Sequence, residues 1–579
     1  MSESKNRDDF AEGDSRIPAA MTDSLLSFLP EDPKEAKKIF NSLPIENQLD
    51  AVLRARGKER LHYLFLSENP EELVHRLPEL DVFLTVKEVG EKDSLDLISL
   101  TTPEQLQYLL DLELWKKDQL NPEKILDWCE ILLESGEERV VQFIRSTDPE
   151  LIVLLLQKFL HVTTLEGDPL ESRDRIPLFT LDQYYFIDFK GKESRAVFAP
   201  FLQTLYRIDG EGYRRLMEAL IVEVESELEE AGYRLRNARM ADYGFPDFEE
   251  ALGIYRFFNP DSLVLKETSP VVRVQKEVDK GSSTFYLAFR EEGPFLSSVL
   301  AKINDPLEQN RIQIEMAALC NKAMMAEPLD LFEIDEMKRV TKKVFHYLNL
   351  GLQYLSHGEE IKAIERLRLL PLEKIFQCGV GATFLLKRKA ESILKGPWFS
   401  GDRENLAVLD LPHLEKFEGI LRKRPMFYRN GVLDDLKDLQ DFKEAEIFLE
   451  SIEVTANFLR EKLGVTPQGL RALDLTDCHP GRWQEITLST IFLTALANEI
   501  FNGTFQFKAL QEACLKELIS SVFERDGQAK GVVKVEIKNR YHLLAFRDFC
   551  LDLLEEEFGR IPPEEEIDPR FVKGLFICT

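Results

Sequence analysis

Thr102-Pro103-Glu104-Gln105-Leu106 begins with a residue that can cap a helix, followed by one that is well placed only at a helix start. The threonine oxygen accepts from the unpaired N–H groups of a first turn, and proline at the first helical position loses nothing by lacking its own N–H. Gln105 stands where a capping box needs an amide or acidic side chain, and Leu106, Leu109 and Leu110 follow at helical spacing. The same punctuation recurs at Asp32-Pro33, Asn69-Pro70, Asn121-Pro122 and Asp148-Pro149, with Glu35 and Glu72 in the capping-box position after the first two. Leucine-rich runs come after each start, such as Ile125, Leu126, Cys129, Leu132 and Leu133, then Leu151, Leu154, Leu155 and Phe159. Helices this short bury an apolar stripe only by stacking on their neighbours. The starts are unevenly spaced, so the expectation is a mainly α fold that opens with a degenerate, solenoid-like array of helical hairpins over residues 23–165.

Outward from that array, residues 1–22 are polar and aperiodic and are expected to be a disordered tail. A break at Glu166-Gly167-Asp168-Pro169 precedes Tyr184-Tyr185-Phe186-Ile187-Asp188-Phe189, which reads as a short strand. Tyr213, Leu216, Met217, Leu220, Val224, Leu228 and Ala231 then predict one long helix, with Gly232 placed to end it. Ser283 to Phe289 and Val532 to Ile537 lean towards strand. Ala445, Phe448, Leu449, Ile452, Ala456, Leu459 and Leu463 predict a second long helix stopped by Gly464 and Pro467. The expected organisation is a central, mainly helical domain with short strands over 166–465 and a C-terminal helical domain over 466–579.

A chain of 579 residues exceeds what one hydrophobic core usually serves, so several domains are expected. With 103 Asp and Glu against 74 Lys and Arg, the formal net charge is −29. That field repels nucleic acid and anionic lipid unless a basic patch is segregated, and the two basic runs, Lys387-Arg388-Lys389 and Arg422-Lys423-Arg424, are short. The seven cysteines are scattered, none in a CxxC pair, and read as reduced thiols of a cytoplasmic protein. No secretory leader and no membrane-spanning run is legible, so membrane insertion is not expected.

Two resemblances enter on these residues. The starts Thr102-Pro103-Glu104-Gln105-Leu106 and Asp148-Pro149-Glu150-Leu151 resemble the cytosolic N-terminal helical domain of MgtE magnesium transporters and the related repeats of the flagellar switch protein FliG. From Thr102 through Tyr243-Gly244-Phe245-Pro246 to Asn349-Leu350-Gly351-Leu352, the chain resembles a family of long bacterial proteins known only as a domain of unknown function. The second likeness implies a bacterial cytoplasmic protein and no particular activity.

No catalytic residue, metal ligand or cofactor is expected. The eight histidines form no HxxxH or HExxH pair. Cys478-His479 beside Pro480-Gly481 reads as a turn, and Gly379-Val380-Gly381 lacks the third glycine and the lysine of a phosphate loop. Glu223, Glu227 and Glu230 are read as a solvated acidic face in which Glu230 pairs with Arg234. The candidate partner-binding surface is the segment 236–248, with Arg239, Asp242, Tyr243 and Phe245, because aromatic and charged side chains sit together between two helical patterns. The function expected is a non-catalytic scaffold that binds a protein partner through helical surfaces, nucleic acid being excluded. The alternative is an enzyme or small-ligand sensor with a pocket in the central domain.

Overall fold

The computed structural model describes residues 33–116, 119–164, 179–263, 291–327, 333–522, 544–558 and 568–578. The chain opens with α1 (Pro33–Ser42), α2 (Ile45–Arg54), α3 (Gly57–Leu66), α4 (Pro70–Arg76), α5 (Glu79–Val89), α6 (Leu95–Ser99) and α7 (Pro103–Glu113). After the pair β1 (Trp115–Lys116) and β2 (Gln119–Leu120) come α8 (Pro122–Glu134), α9 (Glu137–Ser146) and α10 (Pro149–Gln157). The antiparallel strands β3 (Leu160–Thr164) and β4 (Tyr185–Phe189) lead to α11 (Lys192–Ile208), α12 (Gly210–Val222), α13 (Glu225–Asp242) and α14 (Phe248–Leu252). Then follow α15 (Pro294–Leu300), α16 (Pro306–Ala326), α17 (Ile334–Ser356), α18 (Glu360–Leu369), α19 (Leu372–Lys395) and α20 (Leu411–Leu421). A hairpin, β5 (Phe427–Arg429) and β6 (Val432–Asp434), precedes α21 (Leu439–Leu463) and α22 (Pro467–Arg471). The chain closes with β7 (Cys478–His479), α23 (Leu488–Asn502), β8 (Leu510–Gln511), α24 (Leu515–Val522), α25 (Leu544–Phe558) and β9 (Ile577–Cys578). In the last sheet β9 lies antiparallel to β7 and parallel to β8.

The fold is mainly α, and its described residues fall into two compact units: those of 1–254, 271–291 and 303–344 form unit 1, and those of 255–270, 292–302 and 345–579 form unit 2. The sequence-based boundaries near 165 and 465 therefore lie inside unit 1 and unit 2. In unit 1, α3 packs on α5, α5 on α7, α7 on α9 and α9 on α11, so each short helix shelters one a step further along. The Thr102 start forms the full capping box: its hydroxyl accepts from Gln105 N at 3.1 Å, and the Gln105 amide oxygen accepts from Thr102 N at 3.0 Å. Asn121 and Asp148 cap α8 and α10, whereas the Asn69 side chain makes no cap bond.

Three expectations are corrected. The long helix through Tyr213 and Ala231 is two helices, broken where Glu223 and Val224 turn extended (ψ 144° and 120°) after the branched pair Ile221 and Val222. Gly232 does not end a helix but sits inside α13, where an added Cβ would touch the Trp115 ring at 3.5 Å. The cysteines are not all reduced: Cys478 and Cys578 form a disulfide between β7 and β9, while Cys129, Cys320, Cys378 and Cys550 are free and buried. The expected tail 1–22 and the strand-like stretches 283–289 and 532–537 lie outside the described residues. Among the described residues no helix is long and apolar enough to cross a membrane.

Unit 2 is organised by a glycine-lined crossing of α17 and α19. A Cβ added at Gly379 would collide with the Tyr347 carbonyl, one at Gly351 with the Ile375 carbonyl, and one at Gly381 with the Phe258 carbonyl. Only residues without side chains let these backbones approach so closely. Gly379-Val380-Gly381 is thus a packing surface inside α19 and not a phosphate loop. On the core side, α21 buries Phe442, Ala445, Leu449, Ile452, Ala456 and Leu459, and Gly464 ends it at φ +64°.

His413 on α20 lies among Phe448, Phe546 and Phe549, with ring centroids 5.6, 6.3 and 4.2 Å away, and its buried Nδ1 has no hydrogen-bond partner. Burial, and then the nearby Lys416 charge, push its pKa down from 6.5 to about 4. The folded protein therefore holds a neutral imidazole that the unfolded chain protonates more readily. This contribution to stability is complete above pH 6.5 and is lost as the pH falls towards 4. At most about 3 kcal/mol is involved. Urea denaturation across that window should show the loss in the wild type and a flatter profile in His413→Phe; equal slopes would remove His413 from the account.

Candidate functional site

Three of the four candidate side chains in segment 236–248 are engaged in docking α13 onto the rest of unit 1. Arg239 forks both oxygens of Asp111 on α7, at 2.7 Å each, and Asp111 is only 2% exposed at its side chain. Arg236, itself buried, donates from Nε to the Asp111 carbonyl at 2.7 Å and lies over the Trp115 ring. Tyr243 meets Tyr108 edge-on at 4.7 Å and donates to Glu79 at 3.4 Å, so burial and then the Glu79 charge push its hydroxyl pKa up. Its carbonyl accepts from Asn321 at 3.1 Å, and the turn that follows needs Gly244 at φ +81°. Phe245 is buried beside Tyr108, and Asp242 alone of the four faces solvent.

Other buried charges of unit 1 have the same character. Arg60 is 2.9 Å from Asp81 and also donates to the carbonyls of Val52, Ala55, Leu53 and Asp81. Glu113 is held by Lys87 at 3.0 Å and faces Lys124 at 3.8 Å. Arg139 donates to the carbonyls of Thr101 and Ser99. Glu230 pairs with Arg234 at 3.5 Å on an exposed face, while Glu223 lies beyond the end of α12 and does not join Glu227 and Glu230 on α13.

Two features were not singled out from the sequence. One is an open groove of about 530 Å³ in unit 1, lined by Pro103, Glu138, Val141, Gln142, Arg145 and Ile208. Ile208 is 44% exposed at the end of α11, and Ile221, Val222 and Val224 are also exposed. The other is a polar centre in unit 2. There the buried His346 ring places Nε2 3.2 Å from Glu292, while Nδ1 is buried without a hydrogen-bond partner. Tyr347 donates to Asp435 at 3.4 Å, and Asn349 ties Leu296 N to the Lys437 carbonyl. Burial pushes the His346 pKa down against the pull of Glu292. A helical face carrying His346, Tyr347 and Asn349 gives no spacing signal because its partners, Glu292 and Asp435, come from distant parts of the chain. Among the described residues no group of three His, Cys, Asp or Glu could hold a metal, and Cys478 is consumed by its disulfide.

Removing one member of a buried pair strands the other charge. Arg239→Ala should therefore destabilise the protein by about 3 kcal/mol. Arg239→Lys should recover only part of this, because a single ammonium cannot fork a carboxylate. Chemical denaturation measures both, and a change below about 0.5 kcal/mol in the alanine variant would mean that the Arg239–Asp111 contact holds nothing.

No curated protein and no solved structure matches the chain, and the likeness to MgtE and FliG finds no support in these comparisons. A family of unknown function, DUF6178, matches residues 37–578. That span carries both the capped helices of unit 1 and the glycine crossing of unit 2, and the chain belongs to this family.

Proposed function

We propose that the chain is a non-catalytic interaction scaffold that receives a segment of a protein partner in the open groove of unit 1. The groove itself is the observation that carries this reading. It is roomy, it is bordered by the exposed Ile208, and its polar side chains Glu138, Gln142 and Arg145 stand beside apolar Val141 and Pro103. That mixture suits an amphipathic helix or extended peptide, whose apolar anchors take the floor while its polar groups meet the rim. The Asp111, Asp81 and Glu113 carboxylates each face a cation. We also place the protein in the cytoplasm, with the four buried thiols in support and the Cys478–Cys578 bond weighing against.

Affinity capture with cross-linking tests the scaffold. A stoichiometric partner is expected with the wild type and should be lost with Ile208→Arg, a variant whose thermal unfolding, measured alongside, should match the wild type. Recovery of no such partner under several growth conditions, or equal recovery by the variant, would overturn the reading. The alternative, an enzyme or small-ligand sensor, has one observation in its favour, the unpartnered His346 Nδ1 beside Glu292. A ligand that raises the unfolding temperature of the wild type but not of His346→Phe would favour it over the scaffold.

A further inference from the structure

The chain is an overall polyanion, yet one face of unit 2 has the opposite sign. Tyr255-Arg256-Phe257-Phe258 lies against α19, its closest approach at Gly381. Four cations sit over aromatic rings there: Arg388 over Phe257 at 3.7 Å, Arg424 over Tyr255 at 3.9 Å, Lys374 over Phe258 at 4.4 Å and Lys387 over Phe384 at 5.9 Å. Lys387 Nζ also donates to the Arg422 carbonyl at 2.9 Å. That bond joins the two basic runs, which are separate in sequence, into one surface.

The charges on this surface are largely uncompensated. Lys389 is neutralised by Glu450 at 2.7 Å and Glu446 at 3.8 Å. Lys387, Arg388, Arg422 and Lys423, by contrast, have no described carboxylate within ion-pair distance, and Arg388, Arg422 and Lys423 are exposed. In a chain with 103 acidic residues, such a cluster is not an average surface.

The chemistry of the patch selects among anions. A guanidinium lying on a ring uses its face and leaves its N–H edge outward, the arrangement that forks a carboxylate. The ring faces of Phe257 and Tyr255 are thereby covered, which removes the stacking platforms that single-stranded nucleic acid uses. A long polyanion would extend past the patch over an acidic surface, whereas a short acidic segment stays within about one Debye length, roughly 8 Å, of the cations. We propose that this face of unit 2 binds an acidic, Asp/Glu-rich segment of a protein partner, with Arg388 forking a carboxylate and Lys387, Arg422 and Lys423 adding charge. The surface is distinct from the groove and selects a partner of opposite charge to the one an acidic protein would otherwise attract.

Fluorescence anisotropy on the full chain tests this with a short labelled Glu/Asp-rich peptide and a labelled single-stranded oligothymidine of equal charge. The peptide should bind at low salt, weaken as salt rises, and lose about tenfold or more in affinity with Arg388→Glu and with Lys423→Glu. Lys423→Glu changes an exposed side chain, and with thermal unfolding matching the wild type it tests the surface even if Arg388→Glu misfolds. Ile208→Arg should leave peptide binding unchanged, which separates this surface from the groove. No peptide binding at low salt, binding indifferent to Lys423→Glu, or tighter binding of the oligonucleotide than of the peptide would overturn the proposal.

Discussion

Every α-helix leaves four N–H groups and four carbonyls unpaired at its two ends, whatever its length. A protein built from helices of about ten residues, as unit 1 is from α1 to α10, therefore has to satisfy an unusual density of backbone ends inside its core. Buried side chains supply the partners. Arg60 collects carbonyls from the end of α2 and from α5, Arg139 those of Ser99 and Thr101, and Gln105 those of Val74 and Leu77 at the end of α4. In unit 2 the sign reverses: Asp410 accepts from the first turn of α23 at Ser489, and Glu557 accepts from Lys573 and Gly574.

This constraint explains why unit 1 buries so many charged side chains among its described residues. Arg60 beside Asp81 already donates to four carbonyls, Asp111 is forked by Arg239, and Glu113 lies between Lys87 and Lys124. Asp111, Asp81 and Glu113 are therefore best understood as parts of joints between helices. His346, like His413, keeps one ring nitrogen buried without a hydrogen-bond partner, and Glu292 sits at the other. Two cations near Phe257 differ from these joints: Lys387 donates to the Arg422 carbonyl, and Arg388 lies exposed over the ring.

Much of the secondary structure was legible because its signals are local. The Thr102–Gln105 box, the β4 aromatics and the α21 stripe with its Gly464 stop all act within a few residues, and each appears as expected. The break at Glu223 was missed because the apolar spacing carries on across it, while the branched pair Ile221 and Val222 that precedes the break lies outside that stripe. The candidate segment 236–248 was noticed for its composition, but composition does not reveal direction. Arg239, Tyr243 and Phe245 turn inward, to partners more than a hundred residues earlier in the chain.

The sequence by itself determined the mainly α class, several helix starts of unit 1, the Gly464 stop, and the membership of a family that spans nearly the whole chain. Caps, prolines and apolar periods act through neighbours a turn away, and no folding of the whole is needed to read them. Only the tertiary structure decided that Cys478 meets Cys578, that Gly351 and Gly379 are a helix crossing, and that two basic runs form one surface. Each of these is a meeting between residues remote in sequence, set by how closely two backbones pack, and no local pattern encodes that approach.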